Sequence, residues 1–224
     1  MHLLIVEGTH IEAELRRKFG TSHTYDFCPA AAPDLRTRLS AADVGFDLRP
    51  WPELHYEQPR QPLFYDTSRA SLAALFHKEE PPFGPVFGVC AFPTLLDREV
   101  LETSLYRLED AALLASTCAT LGTAYCAVQD QVGLVTPRMV CVLINEACYA
   151  LQEGSTSVQS LNITLQLGPA HPRGPFEWAN QIGVARVFET LEALWQDTHE
   201  ERYKACALLK TMYLRGSQFE LQPL

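Results

Sequence analysis

Leu3-Leu4-Ile5-Val6, then Glu7-Gly8-Thr9-His10, then the helical pattern of residues 11–19 read as a strand, a turn and a helix in immediate succession. The alternation continues along the chain. Residues 24–27, 63–65 and 86–91 read as further strands, and residues 71–77 and 108–121 as further helices. Such β-α repetition specifies a parallel sheet covered by helices. Pro50, Pro52, Pro59, Pro62, Pro81, Pro82 and Pro85 interrupt it and mark loops or sheet edges.

Beyond Gln129 the strand signals stop and helices are punctuated in order. Thr136 is a helix cap, Pro137 suits the first turn and Gly154 ends the segment. Within it Met139, Val140, Leu143, Ile144, Ala147 and Leu151 recur at three- and four-residue steps and predict one apolar face. Residues 158–167 form a shorter helix stopped by Gly168, and Pro175 opens another that Gly183 closes. Val184, Val187, Phe188, Leu191, Leu194 and Trp195 make the cleanest helical stripe, and residues 200–214 read as a last helix before Gly216. The organisation is therefore an α/β domain over residues 1–128 and a helical domain over residues 129–224.

With 224 residues, 47% hydrophobic and 20% charged, the chain has the composition of a folded globular protein rather than a disordered one. Its 18 basic and 27 acidic side chains leave a formal charge of −9, without the clustered Lys and Arg that nucleic acid or an acidic membrane surface requires. The opening MHLLIVEG has no basic leader or small-residue cleavage site, so it does not read as a signal peptide. The longest uncharged run, residues 111–129, is broken by Ser116, Thr117, Thr120, Gly122 and Thr123 and suits a helix, a turn and a strand. Seven cysteines, none in a Cys-x-x-Cys pair and most in apolar stretches, read as reduced core thiols of a cytoplasmic protein. Zinc-site spacing, a P-loop and a Gly-x-Ser-x-Gly elbow are all absent from the sequence.

Particular residues narrow the class. Gly133, Pro137-Arg138, Ile144-Asn145-Glu146-Ala147, Gln152-Glu153-Gly154, Leu167-Gly168, Pro172-Arg173-Gly174-Pro175-Phe176-Glu177-Trp178 and Ile182-Gly183 occur in that order. Together they closely resemble the C-terminal domain of 3-hydroxyacyl-CoA dehydrogenases, most of all the bacterial 3-hydroxybutyryl-CoA type. Each residue also has a structural reading: Gly174-Pro175 as a helix start, Phe176 and Trp178 as core anchors, Asn145 and Glu146 as partners for buried backbone groups. The first half resembles the family through Asp66-Thr67-Ser68, through the run from Val86 to Pro93, and through Glu102.

The resemblance implies a truncated Rossmann-like parallel sheet domain followed by a helical 3-hydroxyacyl-CoA dehydrogenase C-terminal-like domain. It also implies NAD as cofactor with no metal, an acyl-CoA-like small molecule as ligand, and a homodimer joined through the helical domain. Family members carry an Asn-Thr-Ser step, a His-Phe-Asn-Pro-like run and a later Glu. On this chain the substrate-contacting serine matches Ser68 and the glutamate that orients the catalytic histidine matches Glu102. Cys90 stands where the histidine is expected, and Pro137 where an asparagine is expected. Of the Gly-x-Gly-x-x-Gly turn only Gly8 remains, and Asp26 is placed as a ribose-binding acid, or else as a polar residue ending a strand.

Those replacements bear directly on chemistry. Oxidising a secondary alcohol by hydride transfer needs a base for the hydroxyl proton, and an imidazole backed by a carboxylate supplies it near neutral pH. A thiol in an apolar strand does not relay a proton to Glu102, and proline has no side-chain donor or acceptor. Glu7 and Glu12 bring negative charge to the pyrophosphate position, a repulsion of about 1 kcal/mol or more at contact range. The expectation is a diverged family member with weak or no dehydrogenase activity. Two alternatives stand beside it: an active NAD-dependent 3-hydroxybutyryl-CoA dehydrogenase with His77 or His171 as a relocated base, and a dimerising interaction module.

Overall fold

The computed structural model describes residues 1–51, 60–77, 84–168 and 171–221. Pro52, Pro59, Pro81 and Pro82 lie outside them. The chain divides into two compact units, Met1–Val135 and Thr136–Leu224.

In the first unit β1 (His2–Val6), β2 (Thr24–Cys28), β3 (Val44–Asp47), β4 (Leu63–Asp66), β5 (Val86–Val89), β6 (Val100–Leu105) and β7 (Ala124–Val128) form one sheet of order β2-β1-β3-β4-β5-β6-β7. Neighbouring strands run parallel except for β5 and β6, which are antiparallel. The sheet is thus mostly parallel, as expected, with this one antiparallel pair. The stretch from Cys90 to Glu99 holds no helix, and so short a return favours an antiparallel partner over a parallel crossover.

The central strands β1, β3, β4 and β5 are buried on both sides. Leu3, Ile5, Phe46, Phe64 and Phe87 pack on one face with Ile11 and Leu15, the latter on α1 (Glu12–Phe19), and with Leu114, Cys118 and Leu121 of α4 (Ala111–Leu121). On the other face Leu4, Val6, Leu63, Tyr65 and Val86 pack with Leu35 and Leu39 of α2 (Leu35–Ala41) and Leu72 of α3 (Leu72–Leu75). A ladder of rings crosses the first face: Phe46 lies 4.8 Å from Phe64, which lies 5.1 Å from Phe87, following the strand register. Such packing is what a covered sheet of this kind requires.

The parallel order 2-1-3-4-5 leaves one strand beyond β1, where a dinucleotide-binding sheet of order 3-2-1-4-5-6 has two.

The second unit is helical, with α5 (Thr136–Gln152), α6 (Val158–Leu167), α7 (Pro175–Ile182), α8 (Val184–Thr198) and α9 (Ala207–Arg215). The buried face of α5 carries Val140, Cys141, Ile144, Ala147 and Cys148. Met139, expected on that face, is 59% exposed. Two cysteines packing as small hydrophobes turn the stripe away from it. The final segment is also not one helix. A short 3-10 turn at Glu201–Tyr203 and an extended step precede α9, and the Asn145 side chain bridges that break. Its Nδ2 donates to Lys204 O and its Oδ1 accepts from Cys206 N, each at 2.9 Å. Glu146, which shared the same structural reading, is exposed instead.

The Gly-Pro-Phe-Glu-Trp run owes its form to Asn162 on α6. Its Oδ1 accepts the N–H groups of Phe176 at 3.1 Å and Glu177 at 3.2 Å, satisfying donors at the start of α7. A Cβ at Gly174 would lie 2.1 Å from that oxygen, so glycine is required there by close approach. Replacing Asn162 with Ala leaves both donors without their acceptor and is expected to cost about 1–3 kcal/mol in urea unfolding. Asn162→Asp, which keeps the acceptor, is expected to lose less.

Candidate active site

Open α/β sheets bind ligands outside the carboxyl ends of their strands, at the point where the chain order reverses. Here β2 lies on one side of β1 and β3 on the other, so that point falls after β1 and β3. The turn leaving β1 is Glu7-Gly8, with Glu7 at φ 58. A left-handed conformation at a residue with a Cβ is a strained choice in a turn that usually relies on glycine. The Glu7 carboxylate is exposed and accepts the N–H of Ala30 at 2.7 Å, clasping the loop that follows β2.

Gly8 is itself required by packing. An added Cβ would meet Ile5 Cγ2 at 2.1 Å. With Gly8 as the second glycine of the dinucleotide turn, Val6 and Ile11 stand at the first and third positions, and both are buried in the core. The helical start is a 3-10 turn, Thr9–Ile11, without a side-chain cap, and α1 follows only at Glu12. Glu12 pairs with Arg16 at 2.8 Å.

Asp26 lies opposite Leu4 in the middle of β2, two residues before the strand ends at Cys28. Its carboxylate pairs with Arg38 at 2.8 Å. After β3, Asp47 and Arg49 form a buried ion pair, with Arg49 Nε 2.8 Å from Asp47 Oδ1. Glu7 and these paired groups do not suit the pyrophosphate of a dinucleotide, which needs glycines and open amide donors on a helix N-terminus. The first turn therefore does not fit NAD.

The ends of β4, β5 and β6 hold the remaining residues. Asp66 closes β4 and its carboxylate is a small hub. It accepts the Ser68 hydroxyl at 2.7 Å, the Ser68 N–H at 3.1 Å and the Ala91 N–H at 3.3 Å. Burial raises its pKa above the usual carboxylate value, and the hydrogen bonds from Ser68 and Ala91 work against that rise. Ser68, the residue matched to a substrate contact, thus spends its hydroxyl proton on Asp66.

Cys90, buried, follows the last residue of β5. The antiparallel register pairs Phe87 with Leu105, Gly88 with Ser104 and Val89 with Thr103, so Cys90 and Glu102 directly adjoin its last pair. The fold therefore brings these two positions to the same end of the sheet. What stands there is a thiol and a carboxylate, and the Glu102 Oε1 accepts the backbone N–H of Val135 at 2.5 Å.

Pro137 lies in the helical unit, buried in the first turn of α5. His77 is exposed beyond α3, its Nδ1 3.0 Å from Ala74 O, and His171 belongs to the helical unit, where its ring lies 5.8 Å from that of Trp178. Among the described residues no three His, Cys, Asp or Glu side chains are grouped to hold a metal ion, and no helix is long and apolar enough to cross a membrane.

Asp66 is the site residue that sequence reasoning passed over. Its signal was available as the departure of Asp66-Thr67-Ser68 from Asn-Thr-Ser, but the number of N–H groups gathered by the carboxylate is visible only in three dimensions.

Comparison with known proteins places this geometry. Residues 133–218 match the family model for the 3-hydroxyacyl-CoA dehydrogenase C-terminal domain. Escherichia coli 3-hydroxyadipyl-CoA dehydrogenase is 39% identical over 93 residues, which is 42% of this chain and 20% of that protein. The 3-hydroxybutyryl-CoA dehydrogenase of Bradyrhizobium diazoefficiens is 32% identical over 103 residues, 45% of this chain and 35% of that protein. The matched stretch thus spans well under two thirds of either relative.

The crystal structure of (S)-3-hydroxybutyryl-CoA dehydrogenase from Ralstonia eutropha superposes with a TM-score of 0.71 at 17% identity, covering 96% of this chain and 94% of that one. That likeness is one of fold. Residues 133–218 are therefore similar to the C-terminal domain of the 3-hydroxyacyl-CoA dehydrogenase family.

Proposed function

We propose that this protein is a diverged 3-hydroxyacyl-CoA dehydrogenase family member that keeps the scaffold and has weak or no dehydrogenase activity of its own. The observation that carries the reading lies at the end of β5. Cys90 and Glu102 adjoin the last pair of the β5–β6 register, where proton removal from a secondary alcohol calls for an imidazole. Three further features support it: Ser68 donates to Asp66, Glu102 accepts a loop N–H, and Glu7 with Ile11 replaces an open glycine turn.

On this reading the protein acts in the cytoplasm by binding an acyl-CoA-like molecule, and it works as a homodimer joined through its helical unit. Met139, Leu167 and Leu214, three large exposed apolar side chains of that unit, support self-association. The relocated-base alternative has no comparable support, because His77 is exposed at the end of a short helix and bonded to a local carbonyl.

The activity is tested by mixing the protein with NADH and acetoacetyl-CoA and following loss of NADH absorbance. Turnover is expected to be absent, or lower by about two to four orders of magnitude than acid-base catalysis allows. Turnover at ordinary dehydrogenase rates would overturn the proposal. Light scattering on the same sample tests the assembly. Twice the mass of the chain is expected, and a strictly monomeric species contradicts the homodimer.

A further inference from the structure

The sheet ends at β2 on one side and β7 on the other, and the two end strands differ in charge. β2 carries Asp26 at its centre, paired with Arg38 at 2.8 Å, and Arg16 lies over the Tyr25 ring at 4.7 Å. Charge on an end strand is an ordinary guard against pairing with another chain. β7 has no such guard. Ala124-Tyr125-Cys126-Ala127-Val128 holds no charge and no proline, and its first four residues are exposed. Among the described residues no strand pairs with its outer side.

The surface beside β7 is uncharged too. α4 packs against the strand and has no charged side chain in its eleven residues, although Leu113, Ser116 and Thr120 are exposed. Leu113 is 48% exposed and Tyr125 37%. A helix that faces water normally carries charge on its outer face, so this one suits burial against a partner. The carboxylates that flank the strand are engaged within the chain. Glu102, in register with Cys126, accepts the Val135 N–H, and Asp130 accepts the Leu72 and Ala73 N–H groups.

Charge also selects the occupant. A chain with a formal charge of −9 repels its own copies over most of its surface, and a charged partner of either sign finds no counter-charge on residues 111–129. Another uncharged strand edge is what fits, and a second copy of this chain supplies one. We infer that β7 and α4 form a further self-association surface, on which the β7 strands of two copies pair antiparallel about a two-fold axis at Cys126. That register sets Ala124 opposite Val128, Tyr125 opposite Ala127, and Cys126 opposite its own counterpart. The sheet then continues from one copy into the other, and α4 of each copy is covered. Built from one five-residue strand and one helix, the contact is small. It joins copies at high protein concentration, beyond the dimer through the helical unit, on which it does not depend.

Directly opposite residues of an antiparallel pair stand about 4.5–5.5 Å apart, within the reach of a disulfide, and Cys126 is an exposed thiol. The test oxidises the concentrated full chain with copper phenanthroline, blocks remaining thiols with N-ethylmaleimide, and maps the peptides without reduction. A link between two Cys126 peptides is expected, and such a link joins two copies by necessity. Tyr125→Lys combined with Ala127→Lys sets like charges opposite one another and is expected to lower the yield about tenfold or more. Tyr125→Glu combined with Ala127→Glu is expected to do the same. Both positions are exposed, so neither variant disturbs the core. Mixing the two variants turns both contacts into Lys–Glu pairs and is expected to restore the link. No link at Cys126, an unchanged yield in either variant, or a mixture as poor as its components would each overturn the inference. The helical dimer is read separately, by light scattering on dilute protein.

Discussion

The antiparallel pairing of β6 with β5 is the constraint on which the candidate site depends. Every other neighbouring pair in the sheet is parallel, and a parallel partner would place the residues of β6 at the wrong register for the carboxyl end of β5. Running β6 back along β5 pairs Val89 with Thr103, so that residues 90 and 102 are the next along each chain segment. The backbone thus brings a carboxylate and a buried thiol to the same end of the sheet. Two buried faces and a ladder of phenylalanine rings hold this scaffold, and Cys90 is buried within it.

At the end of β1 the polar groups of the turn and its neighbours are engaged in local structure. Glu7 bonds the loop after β2, Asp26 is neutralised by Arg38, and Asp47 by Arg49. Each acidic group that stands near the crevice or along its strands has found a partner within this chain. That arrangement stabilises the shortened sheet and leaves few open donors for a pyrophosphate.

Much of this was legible in the sequence, and the exceptions have physical causes. The strand-turn-helix of the first residues, the helix and strand within the uncharged run, and the glycines that end α6, α7 and α9 follow from periodicity and punctuation. β3 was hidden because Gly45 breaks the apolar pattern, and it does so to let Leu63 approach, whose side chain would meet a Cβ there at 2.6 Å. β6 was hidden because its buried residues include Thr103 and Ser104, polar side chains tolerated inside only because Thr103 bonds Gly88 O and Ser104 reaches Asp130. β7 misleads in the opposite sense, an apolar strand that the fold leaves largely exposed at the sheet edge. At the site, Ser68, Cys90 and Glu102 could be aligned by resemblance, but the capture of Ser68 by Asp66 depends on angles and distances that no spacing reveals.

Isothermal titration calorimetry of the full chain with NADH tests the central claim most directly, since it reads the dinucleotide grip without needing any turnover. The rebuilt turn at Glu7 and Gly8 predicts no saturable heat across the concentrations at which family members are assayed. A saturating isotherm with one NADH bound per chain would contradict it, and would mean that the crevice after β1 and β3 still holds a dinucleotide.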